Sequence, residues 1–174
     1  IYRNYLDGNG KNGIYLWVTN NYNRIINNSI SNNGEDGINS YYENMNNYVA
    51  ENTIDGNVQA GIMFNRDCVN TTIFNNTIKF NGAGIWLTST SHYGNISYNL
   101  LINNTNGIMV TSVCNNLTIY NNIIINSTTY GIYFSGNNYY NTILANIIDT
   151  VRSGNGIYIQ SWAYKTTIIN NTIS

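Results

Sequence analysis

Few side chains in this sequence can do chemistry. Its 174 residues hold eight carboxylates, seven Lys or Arg, two cysteines and one histidine. The carboxylates are Asp7, Glu35, Asp36, Glu43, Glu51, Asp55, Asp67 and Asp149. Glu43 and Asp67 are well separated along the chain, and so are Cys68 and Cys114, with His92 midway between the cysteines. Two carboxylates brought together could run acid/base hydrolysis or, with Asp36 and Arg66 nearby, form a cation site. Two thiols and an imidazole would suit a soft copper ion. Neither set is local in sequence. Each becomes a site only if the fold brings distant positions into contact at one regular interval.

The chain repeats at such an interval. A Gly-Ile pair recurs at Gly13, Gly37, Gly61, Gly84, Gly107, Gly131 and Gly156, with successive spacings of 24, 24, 23, 23, 24 and 25. Fifteen after each glycine stands an asparagine: Asn28, Asn52, Asn76, Asn99, Asn122, Asn146 and Asn171. Twelve after come Ile25, Val49, Ile73, Ile96, Ile119, Ile143 and Ile168, and seventeen after come Ile30, Ile54, Ile78, Leu101, Ile124, Ile148 and Ile173. Asparagine makes up 38 of the 174 residues. Even so, seven hits in seven would arise by chance roughly once in tens of thousands of trials. A unit this short cannot bury its own apolar face and must stack on copies of itself.

The expected unit is a strand-turn-strand coil. One strand follows the glycine, with its first and third residues inward, as in Ile62 and Phe64. The other spans positions twelve to seventeen. The glycine suits a turn needing positive φ or a close backbone approach. The asparagines form an internal ladder in which each amide bonds the next and tolerates the left-handed conformation. Ile1, Asn4 and Leu6 fit the same frame. The expectation is one all-β domain over residues 1–174, a parallel β-solenoid of about seven coils. It is read as a segment of a longer solenoid or as a filament unit, able to associate end to end through open strand edges or with neighbouring coils.

On this frame Glu43 and Asp67 share the sixth column on adjacent coils, roughly 4.8 Å apart. They are the weak catalytic candidates; the simpler account is two solvated loop carboxylates, one paired with Arg66. Asp55 and Lys79 share another column and should form an inter-coil ion pair. Cys68 and Cys114 lie two coils apart, roughly 9 to 10 Å, beyond the ~7 Å reach of a disulfide. The other residues of their column are small, as at a tight bend, and His92 lies in the adjacent column, whose side chains point the other way. No metal or cofactor is expected.

The outward positions of the glycine strand carry Tyr15, Trp17, Tyr41, Trp86, Tyr133 and Tyr158 among amides, hydroxyls and methionines. Such a face can bind a glycan or another protein, or serve as a self-stacking ladder. N-glycosylation sequons begin at Asn27, Asn70, Asn75, Asn95, Asn103, Asn116, Asn126 and Asn170, close to the six or so expected from composition, since Ser and Thr number 29. A net charge of −1 with 9% charged residues argues against a nucleic-acid partner, and no apolar run is long enough to span a membrane.

The Gly-Ile-(aromatic or Met)-(aliphatic) strand followed by Asn-x-Ile resembles the right-handed parallel β-helix repeats of the NosD-like and pectate-lyase-like families, across essentially the whole chain. The resemblance implies right-handedness. It also implies relatives as diverse as polysaccharide lyases, polygalacturonases, epimerases, copper-maturation proteins and adhesin-like surface proteins, so it leaves function open. No lyase, polygalacturonase or epimerase catalytic signature is present. Coil length varies only from 23 to 25, without the long insertions that active clefts need. The expected function is therefore a non-catalytic scaffold, extracellular or on the cell surface, with an aromatic strand face for protein or glycan contacts. The alternative is a carbohydrate-active or carbohydrate-binding β-helix.

Overall fold

A computed structural model describes residues 1–160 and 162–174. Among these residues there is no helix, and the chain winds as a right-handed parallel β-helix. Each coil contributes to three parallel sheets of eight, seven and seven strands. In one coil the strands are Ala83–Thr88, Asn95–Ser97 and Leu100–Ile102. Register follows the repeat: Ile85 pairs with Ile62 and Ile108, Ile96 with Ile73 and Ile119, and Leu101 with Ile78 and Ile124.

The expected second strand is in fact two. The run from position twelve to seventeen breaks at the asparagine, which turns a corner between two short strands. In a strand of this length only the central side chain points inward. Columns twelve and seventeen supply those centres, and both are fully buried through the middle of the stack. The longer glycine strand adds columns one and three, including Phe64 and Phe134, the largest fully buried side chains. Four apolar columns thus form one continuous core.

The ladder runs from Asn4 to Asn171. In every step the Nδ2 of one asparagine donates to the Oδ1 of the next, at 2.9 to 3.0 Å. The same Oδ1 also accepts the backbone N–H of the preceding coil's asparagine. The ladder residues do not themselves adopt the left-handed conformation. The residue before each one does: Arg3, Asn27, Glu51, Asn75, Tyr98, Asn121, Ala145 and Asn170 have φ from 52° to 57°. Holding Glu, Tyr or Ala there costs on the order of 1 kcal/mol each, offset by the amide bonds that close the corner.

A second ladder, unread in the sequence, closes the next corner through Asn9, Asn33, Asn57, Asn81 and Asn104, at 2.7 to 3.0 Å. It stands twenty after each glycine and stops where Ser127 and Val151 take the column. A column kept through only part of the stack does not stand out in a chain so rich in asparagine.

The anchor glycines have no positive φ; those that do are Gly8, Gly56 and Gly136. The reason for glycine at the anchor is space. A Cβ on Gly84 would lie 2.5 Å from Leu101 Cδ2 and 2.7 Å from the carbonyl oxygen of Gly107. The missing side chain lets the column-seventeen residue fill the interior while the next coil's backbone comes close.

Candidate functional site

Strand alternation sends columns two and four of the glycine sheet outward, and this exposes the aromatic face. Tyr15, Trp17 and Tyr158 are exposed, while Tyr41, Trp86 and Tyr133 are partly covered by their neighbours. Trp17 stacks on Tyr41 with ring centres 5.1 Å apart, and Tyr15 meets Trp17 edge-on at 5.5 Å. Toward the other end Tyr133 and Tyr158 stack with Tyr130 at 4.9 to 5.7 Å. Tyr133 Oη donates to Gln160 Oε1 at 2.8 Å. Between these clusters Trp86 lies in register with Met63 and Met109 and donates its indole N–H to Thr111 Oγ1 at 2.8 Å. The face is therefore part ladder and part open surface.

The open part is a groove of about 410 Å³ lined by Lys11, Asn12, Tyr15, Glu35, Asp36, Asn39, Tyr41, Gln59, Met63 and Asn65. Its floor holds a buried carboxylate, Asp36, which the sequence had suggested as a neighbour of Glu43 and Asp67. Asp36 is 1% exposed. It stands just before Gly37, and the small Ala60 and Ala83 occupy its column on the following coils. Its Oδ1 accepts the Ala60 N–H at 2.8 Å, and its Oδ2 accepts Asn39 Nδ2 at 2.6 Å. Burial nonetheless dominates and pushes its pKa up, with Glu35 adding a smaller push the same way. Asn39 Oδ1 is buried without a hydrogen-bond partner. At the rim Glu35 faces Lys11 at 4.0 Å.

A raised pKa gives Asp36 a pH-dependent effect on stability. The protonated form is favoured in the fold, so its contribution is fully present below the unfolded pKa of about 3.9 and is lost as pH rises through the raised folded value. Asp36→Asn removes this loss. Its Oδ1 can still take the Ala60 N–H, and its amide can donate to a flipped Asn39, giving the orphaned oxygen a partner. The variant should melt at or above the parent temperature at neutral pH, with the difference shrinking toward pH 4. Melting curves across that range check this, and a variant less stable at every pH contradicts it.

Glu43 and Asp67 lie on adjacent coils as expected, both at bends with positive φ. They are not joined to each other: Asp67 accepts the Thr90 hydroxyl. Arg66 pairs with neither; its guanidinium lies 5.5 Å from the centre of the Tyr41 ring. Lys79 and Asp55 form the expected ion pair at 3.1 Å.

Cys68 and Cys114 are buried and unlinked. Cys68 Sγ donates to the Asn65 carbonyl at 3.0 Å, and Cys114 Sγ to that of Thr111 at 3.4 Å. Burial raises the pKa of both thiols, that of Cys114 to about 12, so neither is poised as thiolate. His92 Nδ1 accepts the Asn115 N–H at 2.9 Å. Among the described residues no three His, Cys, Asp or Glu side chains converge on a metal position.

Of the sequon asparagines, Asn27, Asn70, Asn75, Asn103, Asn116, Asn126 and Asn170 are left-handed. Asn95 alone is not; it opens the strand Asn95–Ser97. At Asn27, Asn75 and Asn170 the motif is the corner written out, with a left-handed Asn, a ladder Asn and then the Ser or Thr that opens the next strand. These sequons follow from the architecture.

Comparison with known proteins agrees with this picture. The model of the family described as "Periplasmic copper-binding protein (NosD)" matches residues 1–142 and again 83–174. No curated protein matches the chain. Among solved structures, the periplasmic alginate epimerase AlgG superposes with a TM-score of 0.81 at 18% identity, over 94% of this chain and 47% of that one. The A-module of the mannuronan C-5 epimerase AlgE6 from Azotobacter vinelandii gives 0.60 at 15% identity, over 94% and 57%. The Agl-KA catalytic domain gives 0.55 at 18%, over 94% and 45%. The chain thus spans about half the length of each, and at these identities the likeness is one of fold.

Proposed function

This chain belongs to the NosD family, and on that footing we propose that it is an exported β-helical scaffold whose glycine-sheet face holds a glycan chain without transforming it. The groove carries this reading: the exposed ring of Tyr15 and the stacked pair of Trp17 and Tyr41 stand beside the amides of Asn12, Asn39, Gln59 and Asn65. Flat sugar faces pack on such rings while amides bond the hydroxyls, the combination that small-ligand sites use for affinity and orientation. Export accords with the family's periplasmic description and with the periplasmic setting of AlgG. Coil length stays between 23 and 25, and this evenness favours a scaffold over a catalytic cleft.

Copper is named in the family's description, but the residues here do not fit a copper centre. The thiols are buried on backbone carbonyls, His92 is occupied by a backbone N–H, and Met63 and Met109 stand on opposite sides of Trp86.

One observation favours an enzymatic reading, namely Asp36, a buried carboxyl of raised pKa in the groove floor. Titration of the purified chain with a polysaccharide panel distinguishes the two. Binding should weaken at least about tenfold, some 1.4 kcal/mol, in the Trp17→Ala, Tyr41→Ala double variant. No reducing ends and no unsaturated sugars should appear. Product formation abolished by Asp36→Asn would replace the scaffold with an enzyme, and binding unaffected by the double variant would move the site off this face.

A further inference from the structure

We infer that the glycan held by this face is a neutral one, and that uronate polymers are excluded; this rests on the glycan-binding reading above. A uronate chain carries one carboxylate per sugar. A face that binds it must set cationic side chains along its path to replace the water lost from those carboxylates. This face does not. The columns two and four after each glycine contain no charged residue in any of the seven coils.

The two cations at its margin are already engaged. Lys11 faces Glu35 at 4.0 Å, and Arg66 lies over the Tyr41 ring. The groove instead presents one carboxylate, Glu35 at its rim, while Asp36 lies buried beneath its floor with both oxygens hydrogen-bonded. A polyanion placed there would find the Lys11 charge offset by Glu35 and would lose water from its own carboxylates without a matching counter-charge. A neutral chain loses nothing by the same placement, because rings and amides supply its contacts. The groove draws its lining from three successive coils of the seven-stranded sheet, so its floor is extended along the stacking axis.

Affinity electrophoresis of the whole chain tests this, with gels containing a neutral glucan, a neutral mannan, cationic chitosan, alginate or polygalacturonate, at low salt where charge attraction is greatest. Retardation by a neutral polymer is expected, with none by either uronate. Glu35→Lys, which leaves two cations at the rim, should acquire retardation by the uronates that is lost again on adding salt. Uronate binding by the parent chain overturns the inference and leaves the glycan reading standing. Retardation by chitosan that exceeds the neutral polymers and disappears with salt also overturns it, since the carboxyl groups would then be the attraction. Failure to bind any of the five removes the glycan reading and the inference together.

Discussion

Asn122→Leu should destabilise the stack by about 3–5 kcal/mol. Asn122 is fully buried. Its Oδ1 accepts both the backbone N–H and the side-chain amide of Asn99, each at 3.0 Å. Its Nδ2 donates to Asn146 Oδ1 at 3.0 Å and to the Ile96 carbonyl at 2.9 Å. Leucine has similar bulk and fills the space, so the loss is one of hydrogen bonds rather than volume. The Asn99 N–H is left without its acceptor at about 1–3 kcal/mol, the Asn99 and Asn146 amides and the Ile96 carbonyl each lose one bond at about 1 kcal/mol, and the corner loses what offsets its left-handed residue, Asn121. Asn171→Leu is the control, because Asn171 is partly exposed and ends the ladder; it should cost under about 1 kcal/mol. Urea midpoints at unchanged slope measure both. Equal effects at the two positions would mean that the ladder is not what holds the corners.

Gly84→Ala should cost a comparable amount, about 3 kcal/mol or more, for the opposite reason. One methyl is added where none fits. Its nearest contacts would be Leu101 Cδ2 at 2.5 Å and the Gly107 carbonyl oxygen at 2.7 Å. Leucine could turn away only by opening the core, and the carbonyl belongs to the next coil's backbone, so the coils must separate. Overpacking of this kind runs about 1–3 kcal/mol and more when backbone must move. Gly10→Ala meets nothing within 4 Å and should be neutral or slightly stabilising. Urea midpoints again measure the pair, and a harmless Gly84→Ala would show that the coils can part at the anchor without loss.

Sequence alone determined the solenoid, because every coil repeats one local decision. The inward columns at one, three, twelve and seventeen and the asparagine at fifteen recur in each coil, and parallel stacking turns one repeat interval into direct contact. The ladder and the aromatic face were legible for that reason. What the corners do was not legible. The left-handed residue at position fourteen is Asn, Glu, Tyr or Ala in different coils, so no residue type marks it; backbone closure imposes it. The anchor glycine's purpose also needed three dimensions, since Leu101 and the Gly107 carbonyl approach Gly84 from different strands. The groove lay furthest from sequence. Asp36 is one of eight carboxylates and shares its column with no other. Only packing reveals that the small Ala60 leaves its backbone N–H open to that carboxyl and that Asn39 closes over it. Periodicity can place a residue in a column; burial, and with it a shifted proton affinity, depends on unlike neighbours from adjacent coils meeting at one point.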